Sequence, residues 1–108
     1  MNIENTKAQM RKGILELCIL SNLDQTPKYS SDILDHLKNS KLLVVEGTLY
    51  PLLTRLKNGG LLDYNWEESK SGPPRKYYTI TEKGQSFLEE LNQSWKELSK
   101  AVITLTKK

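Results

Sequence analysis

Residues 46–61 read Glu46-Gly47-Thr48-Leu49-Tyr50-Pro51-Leu52-Leu53-Thr54-Arg55-Leu56-Lys57-Asn58-Gly59-Gly60-Leu61, and this stretch decides the fold. Leu49, Leu52, Leu53 and Leu56 recur at the spacing that lines one face of a helix, and Gly59-Gly60 supplies a left-handed stop. A helix is expected from near Glu46 to about Asn58. Pro51 does not break it on this reading. Placed in the first turn, its missing N–H has no intrahelical partner or only a marginal one, so it marks where the helix begins. Thr48 and Tyr50 then lie at the N-terminal end, where side chains and free N–H groups can meet an external anion, with Thr54 and Arg55 one turn later.

Downstream of the glycine pair, Leu62, Tyr64 and Trp66 alternate with Asp63, Asn65 and Glu67, the period of a half-buried strand. Arg75 to Ile80 is a second such segment. Glu68 to Pro74 between them, with Lys70, Gly72, Pro73 and Pro74, reads as a polar tip that continues neither strand. From Thr81, a good N-cap, helical periodicity runs nearly to the end. There Leu88, Leu91, Trp95, Leu98, Val102 and Leu105 alternate at gaps of three and four, the seam spacing of a coiled coil.

Upstream, Lys7 to Leu23 reads as one helix, with Met10, Ile14, Leu17 and Cys18 on one face and Leu15, Ile19 and Leu23 widening it. So broad a band implies cover from two sides, by the body of the domain and by something else such as a second subunit. Asp24 to Tyr29, with Pro27, is a connector. Ser30 or Ser31 caps a short second helix whose buried stripe is Ile33, Leu34 and Leu37, and Asp32 suits its positive end. Lys38 to Lys41 form a polar turn before the apolar stretch 42–45.

With 108 residues the chain fits one domain able to fold without staples, and 37% hydrophobic and 27% charged residues are those of a globular protein. No apolar run is long enough to cross a bilayer and the start lacks the build of a secretory signal, so a cytoplasmic protein without membrane attachment is expected. A net charge of +3 permits a polyanionic partner without demonstrating one. Cys18 is the lone cysteine and His36 the lone histidine, which disfavours a disulfide, a metal site or a cofactor held by soft ligands within one chain, although a site between subunits stays open. No paired carboxylates, nucleophile-base set or phosphate-binding glycine loop stands out, so an enzyme is not expected.

The order helix, short helix, turn, helix and hairpin is that of a winged helix-turn-helix, whose third helix is sized for the major groove. The fold class is therefore mainly α with a small β-hairpin: a winged helix-turn-helix over residues 1–80, with its recognition helix at about 46–58 and its wing at about 62–80, plus a long C-terminal dimerisation helix over 81–108. Lys70, Arg75 and Lys76 flank the hairpin tip and can grip phosphates beside the groove.

From about residue 7 to 105 the chain resembles the PadR-like transcriptional regulators, specifically the short members with one winged helix and one dimer helix. Gly47-Thr48-Leu49-Tyr50-Pro51-Leu52-Leu53 with Arg55-Leu56 carries the likeness, together with Gly59-Gly60-Leu61, Gly72-Pro73-Pro74-Arg75-Lys76-Tyr77-Tyr78, and Thr81 with Gly84. Lys57 departs from it, standing where the family usually carries Glu. The resemblance implies a homodimeric repressor on a near-palindromic double-stranded operator, with Thr48 and Tyr50 on the recognition helix and Arg75 and Lys76 on the wing. Some members resemble sensors of phenolic acids. Short ones respond to planar multidrug-type compounds that enter between paired tryptophans at the dimer centre. Trp95 matches that tryptophan, Met10 matches a pocket-lining position, and Asn92 replaces an aromatic.

Plainer readings stand beside these. Tyr50 on its own would as readily cover the core, but a groove-facing first turn reverses that preference. The helix from Leu88 to Leu105 could fold back on its own domain, but its strict seam favours a partner helix. Trp95 is balanced between packing and a ligand platform. Cys18 reads as a small buried hydrophobe and His36 as a surface residue. The alternative function is a winged-helix adaptor that binds proteins rather than DNA.

Overall fold

The structure is a computed structural model and describes residues 1–42 and 44–108. Among these, five helices and three strands follow in the order α1 (Ile3–Lys12), α2 (Leu15–Asn22), β1 (Lys28–Tyr29), α3 (Ser30–Asn39), α4 (Glu46–Asn58), β2 (Leu62–Ser69), β3 (Gly72–Ile80) and α5 (Glu82–Thr106). The strands form one antiparallel sheet in the order β1-β3-β2. The mainly helical winged-helix architecture with a long last helix is as expected.

The first correction concerns the helix expected over Lys7 to Leu23, which is two helices. Asn2 caps α1 by accepting from the Glu4 N–H at 2.9 Å, and the chain turns at Gly13 and Ile14, where the Ile14 N–H reaches back to the Arg11 carbonyl at 3.1 Å. A glycine in a helix interior costs about 1 kcal/mol relative to Ala, and here it separates two segments with different surroundings. Leu15, Ile19 and Leu20 of α2 are buried, whereas α1 buries nothing. The broad apolar band is thus an exposed stretch of α1, a change of direction at Gly13, and then the buried face of α2.

The connector also holds more than expected. Lys28 and Tyr29 pair with Tyr78 and Tyr77, adding β1 to the hairpin. Neither Ser30 nor Ser31 is the cap of the next helix: Tyr29 holds that position, its N–H bonded to the Asp32 carboxylate at 3.3 Å. Ile33, Leu34 and Leu37 are buried as expected. The end of α3 is tightened by bonds from the Lys41 N–H to the Lys38 carbonyl and from the Leu42 N–H to the Leu37 carbonyl, both at 2.9 Å, with Lys41 in the left-handed region. This is the pattern usually closed by glycine. Of the apolar stretch 42–45, Val44 is buried and Val45 exposed, and residue 43 lies outside the described residues.

Helix α4 has the bounds its leucine spacing predicts, and Leu49, Leu53 and Leu56 are buried. Gly60 takes the left-handed conformation after it, with the Leu61 N–H bonded to the Leu56 carbonyl at 3.0 Å. Pro51, however, is not in the first turn. It is the sixth residue, so the amide it lacks is one that a regular helix would bond to the Gly47 carbonyl. The hairpin tip is also shorter than expected: β2 runs on to Ser69, β3 starts at Gly72, and only Lys70 and Ser71 turn. Pro73 and Pro74 fall inside β3, where the register slips between the Glu67–Arg75 and Ser69–Gly72 pairs.

The largest fully buried side chains are Ile19, Leu20, Leu23, Ile33, Leu49, Leu53 and Leu62, so α2, α3, α4 and the base of the hairpin share one core. Helix α5 is attached at its start. The Thr81 hydroxyl lies 2.7 Å from the Gly60 carbonyl and accepts from the Gly84 N–H at 3.0 Å, and the Thr81 N–H donates to the Leu61 carbonyl at 3.1 Å. Leu88 is buried and Leu91 half-buried; beyond them the helix leaves the body, giving a molecule 55 × 32 × 22 Å.

A methyl group at Gly84 would sit 2.1 Å from the Leu61 carbonyl oxygen. Gly84→Ala must therefore displace the start of α5, and a stability loss of about 1–3 kcal/mol is expected. An unchanged midpoint in thermal unfolding followed by circular dichroism would contradict this packing.

Candidate nucleic-acid interface

Because Leu49, Leu53 and Leu56 fix the inner face of α4, its outer face is determined by helical geometry. Gly47, Tyr50, Pro51, Thr54 and Arg55 are exposed there, Tyr50 by 39%, and Thr48 is half-buried. Thr54 is turned along the helix, its hydroxyl bonded to the Tyr50 carbonyl at 3.1 Å.

The hairpin supplies the other wall. Leu62, Tyr64, Tyr78 and Ile80 share a sheet face that packs on the core, and Trp66 and Lys76 continue that face toward the tip. Past the core it loses its cover, and Trp66 is 63% exposed. Tyr50 and Thr54 of α4 therefore share one groove with Trp66, Pro74, Arg75 and Lys76 of the hairpin. Thr48 and Arg55 lie on the other flank of α4, lining a second groove with Lys12, Leu15, Pro51 and Leu52. Lys70 is exposed at the tip and lines neither groove. The expected site residues thus fall on both sides of one helix.

The cations beside the first groove rest on aromatic rings. The Arg75 guanidinium is 4.0 Å from the Tyr29 ring centroid, and the Lys76 ammonium is 4.7 Å from that of Tyr64 and 5.5 Å from that of Trp66. Among the described residues the ion pairs are Lys7–Glu4 and Arg55–Glu16, so neither wing cation is paired with a carboxylate. A ring orients a cation without cancelling its charge, which keeps it available to an external anion. Lys57, half-buried at the far end of α4, lies 5.9 Å from the Tyr64 ring.

The sequence model described as "Transcriptional regulator PadR-like family" matches residues 19–90. The chain belongs to this family. Solved structures agree. A PadR-like transcription factor from Bacteroides fragilis is 61% identical, with 94% of this chain and 99% of that one covered and a TM-score of 0.78. A PadR-like transcriptional regulator from Bacillus cereus is 40% identical, with coverage of 93% and 98% and a TM-score of 0.80. A PadR family regulator from Eggerthella lenta is 32% identical, with coverage of 97% and 92% and a TM-score of 0.87. This PadR-like chain is therefore a transcriptional regulator and not an enzyme. None of its described helices is long and apolar enough to cross a membrane.

The regulator has a third groove, away from α4, between Ile14, Leu17 and Cys18 on one side and Asn92 and Trp95 of α5 on another, with Leu37 and Leu42 at its base. Met10, expected beside Trp95, does not line it and is 73% exposed on α1. Burial raises the Cys18 thiol above its ordinary pKa, which suits an apolar wall rather than a reactive thiolate. His36 is a surface residue as expected, partnered by the Asn22 side-chain amide at the rim.

Three residues in or beside these grooves, Trp66, Lys12 and the Arg55 partner Glu16, are not singled out by sequence reasoning. Trp66 was placed only by its alternation, which puts it on the buried face but does not show where the cover of that face ends. Lys12 and Glu16 were hidden by reading α1 and α2 as one helix. No signal in the sequence pairs Glu16 with Arg55, which lies 39 residues away.

Proposed function

We propose that this regulator is a repressor that binds a near-palindromic operator as a homodimer. The observation that carries the proposal is the groove in which Tyr50 and Thr54 of α4 face Arg75 and Lys76 of the hairpin, with both cations held on rings and neither neutralised by a carboxylate. Helix α4 enters the major groove, where Tyr50 and Thr54, flanked by Thr48 and Arg55, meet base edges and nearby phosphates. Arg75, Lys76 and the tip residue Lys70 take the phosphates alongside. Residues 1–80 form the DNA-binding part and 81–108 the dimerisation helix.

The dimer reading is supported by the seam of α5. Trp95, Leu98, Val102 and Leu105 continue the line begun by Leu88 and Leu91, and in the single chain Leu98 is 60% exposed. A line of large apolar side chains on a protruding helix calls for a partner, and an identical helix offers the same spacing. Helix α1, which buries nothing of its own, supplies further cover. Two-fold pairing presents two copies of α4 to successive major grooves about 34 Å apart.

A planar aromatic or phenolic effector would enter between the two Trp95 side chains, with Met10, exposed on α1, as a further contact. Its binding favours a spacing of the two wings that no longer matches DNA.

Three measurements check these steps. Arg75→Ala and Lys76→Ala should each weaken binding to all DNA sequences and reduce the slope of log affinity against log salt by about 0.9; unchanged slopes would remove the wing from the interface. If the wild-type protein has no salt-dependent DNA affinity at all, the adaptor reading takes its place. Leu98→Glu should convert a dimer to a monomer in analytical ultracentrifugation, and wild-type protein that sediments as a monomer at micromolar concentration excludes the pairing. An effector found by Trp fluorescence should bind more weakly when operator is present, in the same ratio by which it weakens DNA binding, and equal affinity with and without operator would exclude the release mechanism.

A further inference from the structure

Arg55 and Lys57 are the two cations on α4, and they are in different situations. Lys57 is half-buried at the C-terminal end beside Tyr64. Arg55 stands on the exposed face one turn after Tyr50, but its guanidinium is already occupied by the carboxylate of Glu16 on α2. The arginine side chain is 70% exposed and that of Glu16 is 32% exposed. The pair therefore lies in reach of water and of any polyanion laid against α4.

Glu16 is held where it stands. Its neighbours Leu15, Ile19 and Leu20 are buried in the core, so α2 cannot slide to follow the arginine. The arginine has a long flexible stem and the more exposed side chain, so it is the member that can leave. Lys12, Thr48 and Arg55 line the same groove, which places the pair beside the recognition helix. With Glu46 also on α4, the charge that this helix presents is small while the pair is closed, in contrast with the wing, whose cations carry no carboxylate partner.

We infer that Glu16 is a specificity-determining residue that keeps Arg55 neutralised until an acceptor on DNA, positioned in register with α4, displaces its carboxylate. This inference rests on the DNA-binding reading and refines it. On an arbitrary sequence the wing holds the phosphates but nothing draws Arg55 from Glu16, and the carboxylate repels the backbone near α4. On the operator, an acceptor in the correct place replaces the carboxylate. An exposed ion pair is a weak lock, which is what a reversible exchange requires. A phosphate or guanine edge is a charged or bidentate acceptor that competes well for guanidinium.

The test uses the full chain and two short duplexes: one selected by the wild-type protein from a random-sequence pool, and one of scrambled sequence. Glu16→Gln keeps the shape of the side chain and removes its charge. It should tighten binding to the scrambled duplex by about two- to five-fold, the strength of an exposed pair converted to affinity. The salt slope on that duplex should steepen by about 0.9, as expected when one more unneutralised cation meets a phosphate. Affinity for the selected duplex should rise less, so discrimination between the two falls. In an Arg55→Ala background, Glu16→Gln should give no such gain. Glu16→Asp, which retains the charge, should restore most of the discrimination. Equal affinity and slope for Glu16→Gln and wild type would overturn the inference, as would a gain that persists without Arg55, because the carboxylate would then act only through net charge. If the wild-type protein fails to bind either duplex, the DNA-binding reading itself fails. Thermal unfolding midpoints for Glu16→Gln and wild type should coincide closely, so a large drop would assign Glu16 to stability instead.

Discussion

The peptide units at Gly60 and Leu61 are the joint on which the rest of the molecule depends. The Leu61 N–H closes the end of α4, and its carbonyl accepts from the Thr81 N–H, where β3 gives way to α5. The Thr81 hydroxyl reaches the Gly60 carbonyl while capping α5 through Gly84, and the Lys83 ammonium reaches the Gly59 carbonyl at 3.0 Å. Helix α4, the hairpin and α5 thus meet within a few atoms. Leu61 and Gly84 are buried, so a rotation that breaks their backbone bonds leaves polar groups unpaired where water does not readily replace the partner. A glycine is required on each side of the joint for a different reason: Gly60 for its left-handed conformation, Gly84 for the absence of a side chain against the Leu61 carbonyl.

This joint ties two distant surfaces of a small chain to one point. The seam of α5 and the outer face of α4 have no shared side chain, yet both are rigidly referred to the same pair of residues. Helix α2 adds a second link. Leu17 and Cys18 line the groove beside Trp95, while Glu16 on the same helix holds Arg55. A helix anchored in the core by Leu15, Ile19 and Leu20 is therefore in contact with both a pocket and α4.

What could be read in the sequence follows from how local each determinant is. The bounds of α4 depend on leucine spacing and a glycine stop within 15 residues, and both are visible along the chain. The start of α5 depends on Thr81 and Gly84, three residues apart, and is equally plain. Strand β1 is two residues long and exists only because β3, some fifty residues later, offers it Tyr77 and Tyr78, so no local pattern announces it. The break at Gly13 was masked by apolar residues on either side that continue a helical rhythm. Pro51 reads as a first-turn residue because proline tolerance at a helix start is a local rule, but counted from Val45, whose carbonyl takes the Thr48 and Leu49 N–H groups, it is the sixth residue of the helix. Among the candidate site residues, Tyr50, Thr54, Arg75 and Lys76 can be named from type and position alone. Their sharing of a groove, and the separation of Thr48 and Arg55 from them, required the fold.

Pro73 and Pro74 also bear on solubility. Strand β1 covers β3 only at Tyr77 and Tyr78, which leaves the outer rim of β3 toward the tip without a neighbour. Such a rim is a template on which another molecule can add a strand. Successive amides in a strand face opposite edges, so one of the two prolines removes a donor from this rim, and the next two residues carry positive charge; a second copy approaching it meets a missing donor and like charge.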